Sequence, residues 1–264
     1  MYKIVIMCGG YYENFKEHKA LSIINGERLI ERTIRLLKEN GINKNVFISS
    51  NDDRFSEYGY VIKHPNSYRY EDGIVKGYWV DAYYPTEAPV IYLHGDVYYS
   101  EEAISKILNY EAKVNTMIGN KWALNDNHDK VGEPFGWIIV DQEKFRNAIN
   151  KCKKLQDEGK IDRGYAISWE LYEVLNGYNV NDFIIDKETY LVIDDETDDI
   201  DYPEKIEILN KRVRRWWLIP YKSEAQRKFF NTNKDKLGKA MVEHWNKETG
   251  NKKLPKVAPK KKGK

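Results

Sequence analysis

Four short stretches of this 264-residue chain carry side chains suited to handling phosphate groups and a hard cation. Cys8-Gly9-Gly10 ends an apolar run, and a glycine pair there lets the backbone pass close to a bound group and aim N–H donors at phosphates or a base edge. Further on, Lys19 offers a point charge to a phosphate, although composition alone favours reading Lys16, Lys19 and Arg28 as ordinary surface cations. His94-Gly95-Asp96-Val97 puts a carboxylate just after Val90-Ile91-Tyr92-Leu93, at the strand end where open α/β sheets bind ligands. Such an acid is either a hard-cation ligand or a turn cap. Asp194 to Asp201 packs six acids into eight residues, a repulsion that a bound Mg²⁺ or Mn²⁺ relieves. The alternative is a solvated loop whose Asp201 caps the helix beginning near Pro203.

The elements that must position these residues follow from hydrophobic spacing. Lys3 to Met7 is an apolar run of the kind buried on both faces of a parallel sheet. From Leu29 to Asn40 apolar residues recur at helical spacing, with Gly41 at the C-cap position, and Val46 to Ser50 reads as a second buried strand. Strand, glycine turn, helix and strand make a βαβ unit. The pattern continues with a helix over Ile74 to Tyr83, a strand at Val90 to Leu93 and a helix capped by Ser100. A strand over Phe135 to Val140 follows, then helices over Phe145 to Leu155 and Ser168 to Leu175, a short strand at Leu191 to Ile193, and a helix from Pro203. Beyond Arg214, Ser223 with Gln226 forms a capping-box pattern that introduces a helix over Ala225 to Leu237.

Composition is consistent with a globular α/β protein: 41% of residues are hydrophobic and 20 are tyrosine, enough to close a core. The two cysteines, Cys8 and Cys152, are not arranged as a disulfide framework or a zinc site. No G-x-G-x-x-G and no G-x-x-x-x-G-K-[ST] occurs, which excludes the usual dinucleotide fingerprint and a Walker-type NTPase. No stretch approaches the apolar length of a membrane span, so a cytoplasmic protein without a membrane partner is expected. Charge is divided unevenly. From Lys211 onward 18 Lys or Arg face 4 acids, which leaves 25 basic and 37 acidic residues before it. The expected organisation is therefore an α/β domain over residues 1–210, a basic helical module over 211–253, and a disordered Lys-rich tail over 254–264.

In their order along the chain these pieces resemble the MobA-like NTP transferases, sugar-phosphate nucleotidyltransferases of the GT-A fold. The glycine turn is Cys8-Gly9-Gly10, and the family's phosphate-binding lysine falls at Lys19 within Glu17-His18-Lys19-Ala20-Leu21. Asn25 to Ile34 is similar to the stretch that opens the first long helix. His94-Gly95-Asp96 is similar to the metal-binding G-D, and Asp199-Ile200-Asp201-Tyr202-Pro203-Glu204 to the closing D-x-D-T-P-E-D. Tyr68 to Trp79 falls where the family flanks the base and acceptor pocket. Two departures stand out: Tyr11 to Phe15 holds no arginine to clamp a triphosphate, and His18 replaces a proline.

The resemblance implies a GT-A domain with a mixed, mostly parallel sheet flanked by helices. It implies NTP binding by Cys8, Gly9, Gly10 and Lys19, with Mg²⁺ or Mn²⁺ on Asp96 and on Asp201 or Asp199. The reaction implied is transfer of NMP from an NTP to a phosphorylated acceptor, a sugar 1-phosphate or phosphocholine, with Lys19 and Asp96 in catalytic roles. Two other readings stand beside it. A GT-A glycosyltransferase would use a nucleotide sugar, but its D-x-D belongs in the middle of the fold, and Asp199-Ile200-Asp201 lies near the end. A non-catalytic protein would use its basic tail, with Trp216, Trp217 and Trp245 among cations, to bind nucleic acid or an assembly partner. That tail resembles a short basic module at the ends of some bacteriophage proteins.

Overall fold

The first strand sets the layers. In β1 (Lys3–Met7) side chains alternate, so Ile4 and Ile6 join one apolar cluster while Val5 and Met7 join another. The same division recurs in the strand Val90–His94, where Ile91 and Leu93 face the first cluster and Val90 and Tyr92 the second. A sheet buried on both faces needs helices on both, and this one has them. The computed structural model describes residues 2–10, 15–63, 68–71, 74–83, 89–121, 132–217 and 223–232, and the single positions 242, 246, 253 and 256.

Seven strands form the main sheet: β1, β2 (Val46–Ser49), β3 (Tyr60–Ile62), β4 (Val90–His94), β5 (Thr116–Asn120), β6 (Pro134–Ile139) and β7 (Tyr190–Ile193). Their spatial order is β7-β5-β6-β4-β1-β2-β3. The pairs β1 with β2, β1 with β4, β2 with β3 and β5 with β7 are parallel. Only β6 runs against its neighbours, β4 and β5. The fold is thus α/β with a mixed, mostly parallel sheet flanked by helices, as expected. Helices α1 (Leu29–Glu39) and α2 (Glu101–Leu108) supply Ile30, Leu36, Ile104 and Ile107 to the first cluster. Helices α3 (Gln142–Asp157) and α4 (Ser168–Asn176) supply Phe145, Cys152, Trp169 and Tyr172 to the second. Ser100 caps α2, its hydroxyl accepting the Ala103 N–H at 2.8 Å.

Spacing misleads at one place. The expected helix over Ile74 to Tyr83 is instead a strand, Ile74–Lys76, paired with Arg69–Glu71, followed by a single 3-10 turn at Trp79–Ala82. Ile74 and Val75 are β-branched, and Gly77 at φ +72 breaks the chain direction between the two pieces. Two strands of the sheet, β3 and β5, and the hairpin Ile23–Ile24 with Glu27–Arg28 also lie where no strand was expected.

The chain divides into two compact units, Met1–Ile206 and Glu207–Lys264. Helix α5 (Pro203–Trp217) begins in the first. In the second, α6 spans Glu224–Thr232, where the capping-box pattern places a helix start, and Asn231 and Asn246 exchange amide hydrogen bonds. The rest of the helix expected to Leu237, the loop Tyr11 to Asn14, Trp245 and, apart from Lys256, the tail 254–264 lie outside the described residues, as do the side chains of Trp216 and Trp217. Among the described residues no helix is long and apolar enough to cross a membrane.

Candidate active site

Parallel strands end together, so the segments leaving β1 and β4 meet at one edge of the sheet. Gly95 makes that meeting close: its N–H donates to the Met7 carbonyl at 2.9 Å, and a Cβ at Gly95 would lie 2.6 Å from both that carbonyl oxygen and Cys8 Sγ. Cys8 therefore turns its thiol into the core, where burial pushes its pKa well up, while Gly9, Gly10 and Asp96 line a pocket of about 400 Å³. That volume falls in the range of small-ligand sites.

Asp199 and Asp201 reach the same pocket by backbone pairing. The ribbon Val97–Tyr98 runs antiparallel to Asp198–Asp199 with Asp199 opposite Val97, and the Ile200 N–H donates to the Asp96 carbonyl at 3.0 Å. Five of the six acids of this region are divided among different tasks. Asp194 pairs with Lys121 at 2.7 Å, Asp195 accepts the Ser100 hydroxyl at 2.7 Å, and Asp198 meets Lys205 at 3.1 Å. Asp199 and Asp201 are left to line the pocket.

Lys19 lies in the 3-10 turn Lys19–Leu21 and is only 3% exposed. Its ammonium stands 3.5 Å from Asp96 Oδ2 and 3.8 Å from Asp201 Oδ1. The structure thus brings Gly9, Gly10, Lys19, Asp96, Asp199 and Asp201 into one pocket.

Glu133 completes the acidic group and was not singled out from the sequence. It precedes β6, the antiparallel strand, which begins where β4 ends. One oxygen from each of Glu133, Asp199 and Asp201 lies within 4.8 Å of the others. Burial and the neighbouring acids push both Asp199 and Glu133 well above the ordinary carboxylate range. Asp199 Oδ1 is buried and accepts no well-formed hydrogen bond, with Lys205 Nζ 3.5 Å away. Clustered carboxylates with an unsatisfied buried oxygen form a donor set that fits a hard divalent cation.

His94 ties the two acid-bearing strands together. Its Nδ1 meets the Pro134 carbonyl at 3.0 Å, which makes that nitrogen the donor, so Nε2 accepts from the Tyr83 hydroxyl at 3.1 Å. Tyr83 also receives the Trp137 indole N–H at 3.0 Å and contacts Ser168 Oγ at 2.6 Å. Burial lowers the His94 pKa, in keeping with a neutral ring.

The sequence matches no protein-family model and no curated protein. Solved structures do match. A 4-diphosphocytidyl-2C-methyl-D-erythritol synthase of Anaerococcus prevotii superposes over 80% of this chain and 95% of its own, at 13% identity and a TM-score of 0.51. The inositol-1-phosphate CTP transferase of T. maritima does so over 81% and 96%, at 11% identity and a TM-score of 0.50. The chain has the nucleotidyltransferase fold. At this identity the likeness establishes the fold and no more, so the pocket of this nucleotidyltransferase fold has to be read from its own side chains.

Those side chains include a second group, of which Tyr68 and Trp79 lie in the stretch the family resemblance marked and Arg163, Tyr165 and Trp169 were not singled out. The connection from α3 to α4 carries Arg163 and Tyr165 to the pocket, α4 adds Trp169, and Tyr68 and Trp79 line it as well. Arg163 Nε donates to Glu170 Oε1 at 2.9 Å. Glu170 is 1% exposed, and its other oxygen accepts the Ile167 N–H at 2.9 Å. A buried carboxylate thus orients a guanidinium at the wall of the pocket.

Proposed function

We propose that this protein is a divalent-metal-dependent nucleotidyltransferase that moves NMP from an NTP to a phosphorylated small-molecule acceptor and releases pyrophosphate. The observation that carries the reading is the placement of the Lys19 ammonium between Asp96 and Asp201 in the pocket that Gly9 and Gly10 line. A cationic side chain beside a backbone turn suits a polyphosphate. The neighbouring carboxylates cannot themselves hold phosphate, so they call for a cation between them and the nucleotide.

Asp96, Asp199, Asp201 and Glu133 are the residues that would hold Mg²⁺ or Mn²⁺, and the ion would neutralise charge on the phosphates. In this reading Gly9 and Gly10 offer backbone donors and Lys19 binds the β- or γ-phosphate. Arg163 holds an anionic group of the acceptor, and Tyr68, Trp79, Tyr165 and Trp169 enclose its body and exclude water. A phosphate oxygen of the acceptor attacks the α-phosphorus, the new P–O bond forms as the bond to the bridging oxygen breaks, and pyrophosphate leaves. The nucleophile is already an anion, so the side chains have no proton to remove. Catalysis is positioning together with charge neutralisation.

Pyrophosphate release tests the reading directly: each NTP is supplied with Mg²⁺ and a panel of sugar 1-phosphates and phosphocholine. Release that requires one NTP and one acceptor together supports the proposal. Release of nucleoside diphosphate from a nucleotide sugar instead would favour a glycosyltransferase.

A further inference from the structure

His18 stands immediately before Lys19, and its ring lines the same pocket as Gly9 and Gly10. Nδ1 accepts the Ala20 N–H at 3.1 Å and so caps the turn that carries Lys19. A nitrogen that accepts carries no proton, which in a neutral ring leaves the proton on Nε2. Burial favours that neutral form, against the opposing pull of Asp96 and Asp52. Nε2 is itself buried and makes no well-formed hydrogen bond, and the Cys8 backbone lies near enough to the ring to act on it. Phe55, fully buried, meets the imidazole edge-on with centroids 4.8 Å apart and holds it in place. One side chain therefore caps the lysine turn with one nitrogen and keeps the other without a well-formed bond in the pocket that the glycine turn lines.

We propose that His18 is a positioning residue for the triphosphate: Nδ1 fixes the lysine turn, and Nε2–H closes on the Cys8 carbonyl, so that one imidazole sets the spacing between Lys19 and the glycine turn. In a trans peptide the Cys8 carbonyl and the Gly9 N–H point in opposite directions. A carbonyl drawn toward the ring thus sends the Gly9 N–H away from it, as a donor for a phosphate oxygen. A proline at this position could make neither contact. The proposal rests on the reading of the pocket as an NTP site and adds a residue to it.

Two measurements test it. Long-range ¹H–¹⁵N correlation of the imidazoles in the nucleotide-free protein near neutral pH reads the tautomer, without any variant. The Nε2–H form is expected for His18, and an Nδ1–H form or an imidazolium overturns the proposal. Calorimetric titration with each Mg·NTP then compares wild type with His18→Asn and His18→Gln. Asn keeps an oxygen that caps the Ala20 N–H but has no atom to reach Cys8, whereas Gln restores a donor at that distance. His18→Asn is expected to weaken NTP binding about tenfold with the melting temperature unchanged, and His18→Gln to recover most of the loss. Equal affinity in wild type and His18→Asn overturns the proposal alone. Failure of wild type to bind any NTP overturns the nucleotide reading and takes this proposal with it.

Discussion

Asp199 carries the sharpest expectation at the scale of single residues. Burial, Glu133 and Asp201 raise its pKa, and burial with Asp201 raises that of Glu133. A folded-state pKa above the unfolded one means that the folded protein holds more protons, so the stabilisation is complete below about pH 4 and is lost as pH rises through the raised values. Without divalent metal the melting temperature is therefore expected to fall as pH increases from acid through neutral. Asp199→Asn should flatten that slope, since the amide does not titrate. Thermal unfolding across pH checks this, and an unchanged slope in the variant would remove Asp199 as its origin. Lys19, Asp96, Asp199 and Asp201 were legible as residue types in a particular order along the chain. Glu133 was not, because a lone acid before a proline has no spacing to mark it. Its place depends on β6 running antiparallel, which periodicity does not reveal. Arg163 was hidden in the same way, since only the fold brings Glu170 to its side.

Among the elements, the contact between β4 and β6 bears most directly on the site, because it aligns Glu133 with the end of the strand that leads to Asp96. Gly136 makes it possible: a Cβ there would lie 2.1 Å from the Tyr92 carbonyl oxygen. Gly136→Ala is expected to cost roughly 1–3 kcal/mol of stability as the strands move apart, measured by denaturant unfolding. Loss of the Ser100 cap should cost about 1 kcal/mol in Ser100→Ala. That substitution also removes the hydroxyl that one Asp195 oxygen accepts, so its effect should extend to the acidic loop. The long amphipathic helices and the apolar strands were readable because their spacing is strong. The turn Asn25-Gly26, with φ of 52° and 85°, carried the asparagine–glycine signature of a two-residue hairpin, yet its two-residue strands are too short for alternation to show. Strand β5 escaped for a related reason: Thr116-Met117-Ile118-Gly119-Asn120 is a buried run interrupted by small and polar residues.

At the scale of the whole molecule, the residues assigned to the pocket all precede Ile206, within the first compact unit. The excess of basic residues lies beyond it. Deleting residues 218–264 is therefore expected to leave Mg²⁺-dependent NTP affinity within about twofold of the full chain, by calorimetry. A large loss from a deletion variant that still unfolds cooperatively would assign part of the nucleotide site to the second unit. Charge asymmetry was plain from composition, whereas the partner of the basic segment is not specified by charge alone.

The central claim is that Lys19 and the carboxylates around it bind a metal-complexed NTP. Its most direct test is calorimetric titration of the four NTPs, each with and without Mg²⁺, into wild type and Asp96→Asn. Binding of one NTP that needs Mg²⁺ and is abolished in Asp96→Asn, with the variant's melting temperature preserved, is the predicted result. Absence of binding by every NTP, or affinity indifferent to both Mg²⁺ and Asp96, would contradict it.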